Sequence, residues 1–319
     1  MNGRLKAAII EHFNAIDAKE VEVIQPLWSN YGTISRWQLV GAEVNFIVVK
    51  RISVPSTTHH PRGWDTPISH QRKVRSYEVE MAWYKGLASK TTSDCKIPKC
   101  YFSNQIGKEQ VIVLEDLDAA GFNQRRTQLT IKEAKVCLRW LAHFHATFMF
   151  EKAENLWQEG CYWHLDTRPD EWEAMQSGWL KANAYKIDDR LKACQFQTLV
   201  HGDAKVANFC FSNDLKTVAA VDFQYVGGGC GMKDVVYFLG SCLSEDDCET
   251  HETELLDYYF EILKQETKAV DADALEKEWR SMCSIAWADF TRFLLGWMPT
   301  HQKVNGYSLQ QVEKAKEMV

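Results

Sequence analysis

The residues best suited to chemistry lie close together in the middle of the chain. The run Leu199-Val200-His201-Gly202-Asp203-Ala204-Lys205-Val206-Ala207-Asn208-Phe209 is followed, fourteen residues after Asn208, by Val221-Asp222-Phe223-Gln224. Apolar stretches lead into both motifs, from Gln195 to Val200 and from Val218 to Val221, so each is expected to leave a β-like segment for a loop where the polar groups converge. Together they offer a carboxylate that can take a proton, a lysine two residues later, and two hard oxygen donors, one neutral and one anionic, of the kind Mg2+ prefers. Phosphoryl transfer to a hydroxyl asks for such a set, because it needs little covalent work and much positioning of charge. In that chemistry Asp203 would accept the hydroxyl proton, Asn208 and Asp222 would hold Mg2+ beside the ATP phosphates, and Lys205 would reach the γ-phosphate. His201 is expected to fix the loop by hydrogen bonding rather than to titrate.

The elements that must position these groups change character along the chain. The first third alternates β-like runs, Thr33 to Val40, Val44 to Ile52 and Val111 to Leu114, with a helical stretch near Gln71 to Ser89. Ser53 to Ser69 holds three prolines and little periodicity and reads as an inserted loop or flap, while Gly107 marks a hairpin turn before a buried strand. From Thr130 the pattern turns helical, with Ile131, Ala134, Leu138, Leu141, His145 and Phe148 at helical spacing, and Thr130 followed by Glu133 predicts a capping box. Within that helix His143 and His145 do not share a face, so His145 reads as a core histidine rather than a metal ligand. From Glu252 to Val319 the chain reads as aromatic-rich amphipathic helices.

Composition limits the partners. The 319 residues can bury a large core in two lobes, and the net charge of −6 argues against nucleic acid or an anionic membrane, which would favour a basic face. No stretch reaches the roughly 20 apolar residues that span a bilayer, so the sequence reads as soluble. Its ten cysteines are scattered without a CxxC pair, which suggests reduced thiols in the cytoplasm rather than disulfides or zinc. Trp157 to Trp179 packs four tryptophans, a tyrosine and several acids into one weakly periodic segment. It either packs against helices or lines a pocket for a cationic or amphipathic ligand.

Asp203 and Asn208 have the five-residue offset of a protein-kinase catalytic loop, with Asp222 in the place of its later metal-binding aspartate. HGD, four residues, Asn and then DFQ resembles the aminoglycoside phosphotransferase and choline kinase superfamily, and more finely its ecdysteroid kinase-like branch. Glu80-Met81-Ala82-Trp83-Tyr84, Leu114-Glu115-Asp116-Leu117 with Gly121-Phe122, and Leu141-Ala142-His143-Phe144-His145-Ala146 carry the likeness, in order, across residues 41–234. The resemblance implies an α+β, protein-kinase-like two-lobed fold. Residues 1–117 would form a nucleotide-binding lobe, a small antiparallel sheet with one main helix, ending in the hinge; residues 118–319 would form a larger, mostly helical lobe with the catalytic loop, metal site and acceptor pocket. By the same resemblance Lys50 holds the α- and β-phosphates of ATP, paired with Glu80 in preference to Glu78. Glu115, Asp116 and Leu117 present backbone groups to the adenine edge, Gly41 and Asn45 belong to a shortened phosphate loop, and Asp234 braces the catalytic loop.

Asp234 follows Gln224 by ten residues, with neither a long activation segment nor an APE motif, which argues against a protein substrate. The expected activity is ATP- and Mg2+-dependent transfer to a hydroxyl of a small molecule, sterol-like, choline-like or an amino sugar. The alternative is a non-catalytic nucleotide-binding regulatory protein, a pseudokinase, of the same fold.

Overall fold

Alternation of apolar and polar residues turns the first third of the chain into a sheet. The computed structural model describes residues 2–27, 31–54, 66–267 and 270–319. Its contacts divide the chain into two units, Met1–Ser89 with Ile97–Asn123 and Lys90–Lys96 with Gln124–Val319.

The first unit opens on helix α1 (Asn2–Phe13) and continues through strands β1 (Asp17–Pro26), β2 (Gly32–Val40) and β3 (Phe46–Ile52), helix α2 (Pro67–Lys85), and strands β4 (Cys100–Ile106) and β5 (Glu109–Glu115). The strands form one sheet in the order β1-β2-β3-β5-β4, antiparallel throughout. Leu5 and Ile9 of α1 pack with Trp37, Leu39, Ile47, Val49, Val111 and Val113 in one core. Each such fully buried aliphatic side chain is worth about 1.5–3 kcal/mol. Successive strand residues face opposite sides, so Lys50, next to Val49, points away from that core.

Helix α2 starts earlier than its apolar spacing predicts. Thr66 Oγ1 accepts the Ser69 N–H at 3.2 Å, and Pro67 occupies the first turn, where its missing N–H has no partner to lose. Of the expected flap, residues 55–65 lie outside the described residues. Gly107 takes φ +64° in the β4–β5 turn, as its setting suggested. Strand β1 gave no signal because it lies at the sheet edge and is mostly exposed, so no alternating apolar face was selected.

The second unit is mostly helical. Its helices are α3 (Ile131–Thr147), α4 (Pro169–Ala174), α5 (Trp179–Ala182), α6 (Ala184–Lys192), α7 (Met232–Cys242), α8 (Glu245–Glu266), α9 (Ala272–Trp297) and α10 (Gly306–Lys316). The capping box at Thr130 and Glu133 forms at the start of α3. Short strands β6 (Thr198–Val200) and β9 (Gly227–Gly229) pair with each other, as do β7 (Phe209–Phe211) and β8 (Val218–Ala220). The Lys90–Lys96 segment joins this unit through Lys96, whose carbonyl accepts the Ala220 N–H at 3.0 Å and Trp140 Nε1–H at 2.8 Å. A small antiparallel-sheet unit with one main helix and a larger helical unit make up the expected two-lobed α+β class. All ten cysteines are free thiols, nine of them buried. No described helix is long and apolar enough to cross a membrane.

Candidate active site

The thirteen residues between Asn208 and Asp222 form a hairpin. Strands β7 and β8 pair Phe209 with Ala220 and Phe211 with Val218, and the Val221 N–H donates to the Asn208 carbonyl at 3.0 Å. The two ends of the excursion therefore return side by side, bringing Asp222 next to Asn208. Asp222 has φ +70°, a left-handed conformation costing a non-glycine residue on the order of 1–2 kcal/mol. Its carboxylate accepts Gln224 Nε2–H at 2.5 Å.

Asp203 is the most heavily engaged side chain of the loop. Its Oδ2 accepts Lys205 Nζ–H at 2.9 Å and Asn208 Nδ2–H at 3.1 Å, and its Oδ1 accepts the Tyr237 hydroxyl at 3.2 Å. Asn208 Nδ2 also donates to the Asp203 carbonyl at 2.8 Å. The amide nitrogen is thus committed to Asp203, which leaves Oδ1 as the end able to meet a cation. That oxygen and the Asp222 carboxylate are a neutral and an anionic hard donor, a set that fits Mg2+. For Lys205 burial is the largest influence and lowers proton affinity, but Asp203, Asp222 and Tyr225 outweigh it and raise the pKa. Lys205 is a fixed cation at neutral pH.

The loop is braced from behind. Asp234, fully buried on α7, accepts the His201 N–H at 2.5 Å and the Gly202 N–H at 2.9 Å. It also accepts His145 Nε2–H at 3.2 Å, while His145 Nδ1 accepts the Tyr259 hydroxyl at 2.7 Å; His145 is a satisfied core histidine. His201 Nε2–H donates to the Val221 carbonyl at 3.0 Å and Nδ1 accepts the Asp203 N–H at 3.2 Å. That pattern fixes a neutral tautomer and ties the HGD loop to the segment that carries Asp222. Gly202 has φ +78°, and a Cβ there would lie 2.0 Å from the Tyr225 carbonyl oxygen, so the middle residue of the motif must be glycine.

In the first unit, Lys50 of β3 meets Glu80 of α2 at 2.6 Å with both side chains buried. Glu78, its competitor by spacing, is exposed and faces Arg75 at 3.4 Å. Gly41, with φ +77°, and exposed Asn45 lie in the β2–β3 loop. Glu115 ends β5. The Asp116 carboxylate accepts Arg36 Nε–H at 2.6 Å and the Asp118 N–H at 3.0 Å, so this side chain holds the turn that follows β5 in shape.

Sequence reasoning missed three contributors. Tyr237 lies one turn beyond Asp234 on α7, a same-face spacing that could have flagged it. Ser241, a further turn on, accepts the Val206 N–H at 2.8 Å. Lys303 has no local signal, because it enters from the segment before α10; its ammonium stands 4.8 Å from the Tyr237 ring centroid. The Trp157–Trp179 segment divides. Trp163 is fully buried and donates to Asp289 at 3.1 Å, a packing role, whereas Trp157 stacks on Tyr225 at 6.1 Å. Nearby, His164, Asp166 and Asp188 come close enough to hold an ion. There Lys192 already bridges the two carboxylates, at 2.6 Å from Asp188 and 3.4 Å from Asp166.

A model of the ecdysteroid kinase-like family matches residues 71–165 and 165–272. An uncharacterized kinase-like protein of Caenorhabditis elegans is 23% identical over 270 residues, which cover 74% of this chain and 69% of that protein. Among solved structures, amicoumacin kinase hAmiN in complex with AMP-PNP, Ca2+ and Ami is similar at 14% identity and a TM-score of 0.52, covering 94% of this chain and 87% of that one. A Plasmodium vivax ethanolamine kinase is similar at 11% identity and a TM-score of 0.50, covering 96% and 84%. At these identities the likeness shows the fold, that of two-lobed small-molecule kinases.

Proposed function

Because the chain belongs to the ecdysteroid kinase-like family, we propose that it is an ATP- and Mg2+-dependent phosphotransferase that moves the γ-phosphate to a hydroxyl of a small molecule. The observation that carries this reading is the Asp203 carboxylate held by Lys205, Asn208 and Tyr237, with Asp222 returned to Asn208 by the β7–β8 hairpin. When bound, ATP with magnesium supplies the transferable phosphoryl group and part of the charge neutralisation.

The chain's own groups do the rest. Asp203 orients the acceptor hydroxyl and takes its proton as the oxygen becomes a nucleophile. Lys205, kept protonated by Asp203 and Asp222, stabilises negative charge on the group in transit. Asn208 and Asp222 are the metal ligands. Lys50, held by Glu80, positions the α- and β-phosphates, Gly41 and Asn45 belong to the phosphate loop, and the backbone of Glu115, Asp116 and Leu117 receives the adenine edge. On this reading residues 1–117 serve the nucleotide, and residues 118–319 carry the catalytic loop, the metal site and the acceptor pocket.

The test is ATP consumption with Mg2+ across sterols, choline and ethanolamine, amino sugars and nucleosides, run beside Asp203→Ala. Turnover with one class, lost in the variant by a factor of about 100 or more, supports the reading. ATP binding without consumption for every acceptor would instead favour a regulatory nucleotide-binding protein.

A further inference from the structure

We propose that Lys303 determines acceptor specificity, selecting an alcohol without positive charge that presents a second oxygen to its ammonium, and rejecting cationic alcohols; this rests on the phosphotransferase reading. Lys303 lies between α9 and α10, its backbone N–H donating to His301 Nδ1 at 3.1 Å. Its ammonium is 4.8 Å from the Tyr237 ring centroid and 5.5 Å from that of Phe290. Tyr237 is the residue whose hydroxyl donates to Asp203 at 3.2 Å, so the cation stands one side chain away from the base. Among the described residues Lys303 has no carboxylate partner in an ion pair. Burial lowers its pKa to about 8, with Asp203 pulling the other way and Lys205 adding to the fall, so it remains largely charged at neutral pH.

A pocket for a quaternary ammonium or an amino sugar sets open aromatic faces and uncommitted carboxylates against the ligand cation. The aromatic faces around Tyr237 already carry cations. Tyr237 and Phe290 are buried with Lys303 over them. Tyr162 and Phe293 have the Arg168 guanidinium over their rings at 5.6 and 5.3 Å. Two acids of the aromatic segment are engaged as well: Glu171 pairs with Arg168 at 2.9 Å, and Asp166 with Lys192 and His164, each at 3.4 Å. An incoming ammonium would meet like charge in a partly buried setting, whereas a neutral oxygen would accept a hydrogen bond from a lysine that has three donors.

Matched acceptors that differ only in charge test this: a sterol diol against its amino-sterol counterpart, and glucose against glucosamine. With the full chain, Mg2+ and ATP, the wild type should favour the neutral member, and Lys303→Glu should lower the neutral-to-cationic ratio of kcat/KM by about ten-fold or more, with Lys303→Met between and the change in KM. Acceptor binding in the presence of AMP-PNP, followed by tryptophan fluorescence, gives a second readout. Preference for the cationic member, or a ratio that neither substitution moves in either readout, overturns the proposal. Charge selectivity in binding that follows residue 303 while no acceptor is phosphorylated would leave it standing and sink the phosphotransferase reading alone.

Discussion

Removing the Asp234 carboxylate should loosen the HGD loop without touching any group proposed to meet a ligand. Its oxygens accept three buried donors, the backbone N–H groups of His201 and Gly202 and the Nε2–H of His145. Asp234→Ala leaves all three without an acceptor, and each orphaned donor costs about 1–3 kcal/mol. Losing a buried anion relieves part of that, so the net destabilisation is about 4 kcal/mol. Domains of about 150–250 residues lose roughly 2–4 °C of Tm per kcal/mol, which puts the fall at about 8–16 °C. Asp234→Asn keeps one acceptor but turns an NH2 group toward the donors, and should lose about half as much. Calorimetry reads the stability, and ATP turnover at a temperature where both variants remain folded reads the loop. An alanine variant that melts within about 2 °C of the wild type and keeps its turnover would refute the argument that this carboxylate holds Gly202 and Asp203 in place.

Gly202→Ala should fail more abruptly, since its Cβ would fall 2.0 Å from the Tyr225 carbonyl oxygen and 2.8 Å from the Cys161 backbone nitrogen; a soluble, folded variant with unchanged turnover would contradict the close approach. Breaking the Lys50–Glu80 pair by Glu80→Ala leaves a buried ammonium without its carboxylate and should cost about 3–5 kcal/mol. Glu80→Gln should cost less, urea unfolding separating the two, and both should raise KM for ATP. Lys303 predicts a pH dependence: its folded-state pKa of about 8 lies below the ordinary 10.5, so from pH 8 to 10.5 the unfolded chain binds more protons and folding gains stability as pH rises. Wild type should gain up to about 3 kcal/mol over Lys303→Met across that window, and parallel stability curves would rule it out.

What the sequence revealed was local. The HGD and DFQ offsets announce themselves because Asp203, Lys205 and Asn208 belong to one short loop, and the Thr130 capping box because both halves lie within one turn. Glu80 could be preferred to Glu78 by motif spacing, but the reason is the face of α2, which buries Glu80 against Lys50 and leaves Glu78 exposed beside Arg75. What stayed hidden depends on pairing over distance. Nothing in the fourteen residues after Asn208 states that they fold back as a hairpin, and nothing near Lys303 ties it to Tyr237. Strand β1 lacks an apolar face because the sheet edge does not require one, and the Trp157–Trp179 segment could not be divided into core and rim until Trp163 met Asp289.

Residues Lys90–Lys96 belong to the second unit although the chain on both sides of them belongs to the first. The two units therefore cannot be exchanged between relatives as blocks, by recombination or by design, at any single junction. A fragment starting after residue 123 lacks the carbonyl of Lys96 on which Ala220 and Trp140 close, and a fragment ending there carries that segment without its partners. During synthesis the same seven residues leave the ribosome well before α3 and β8, so the second unit can complete its packing only by recovering a piece of chain already made.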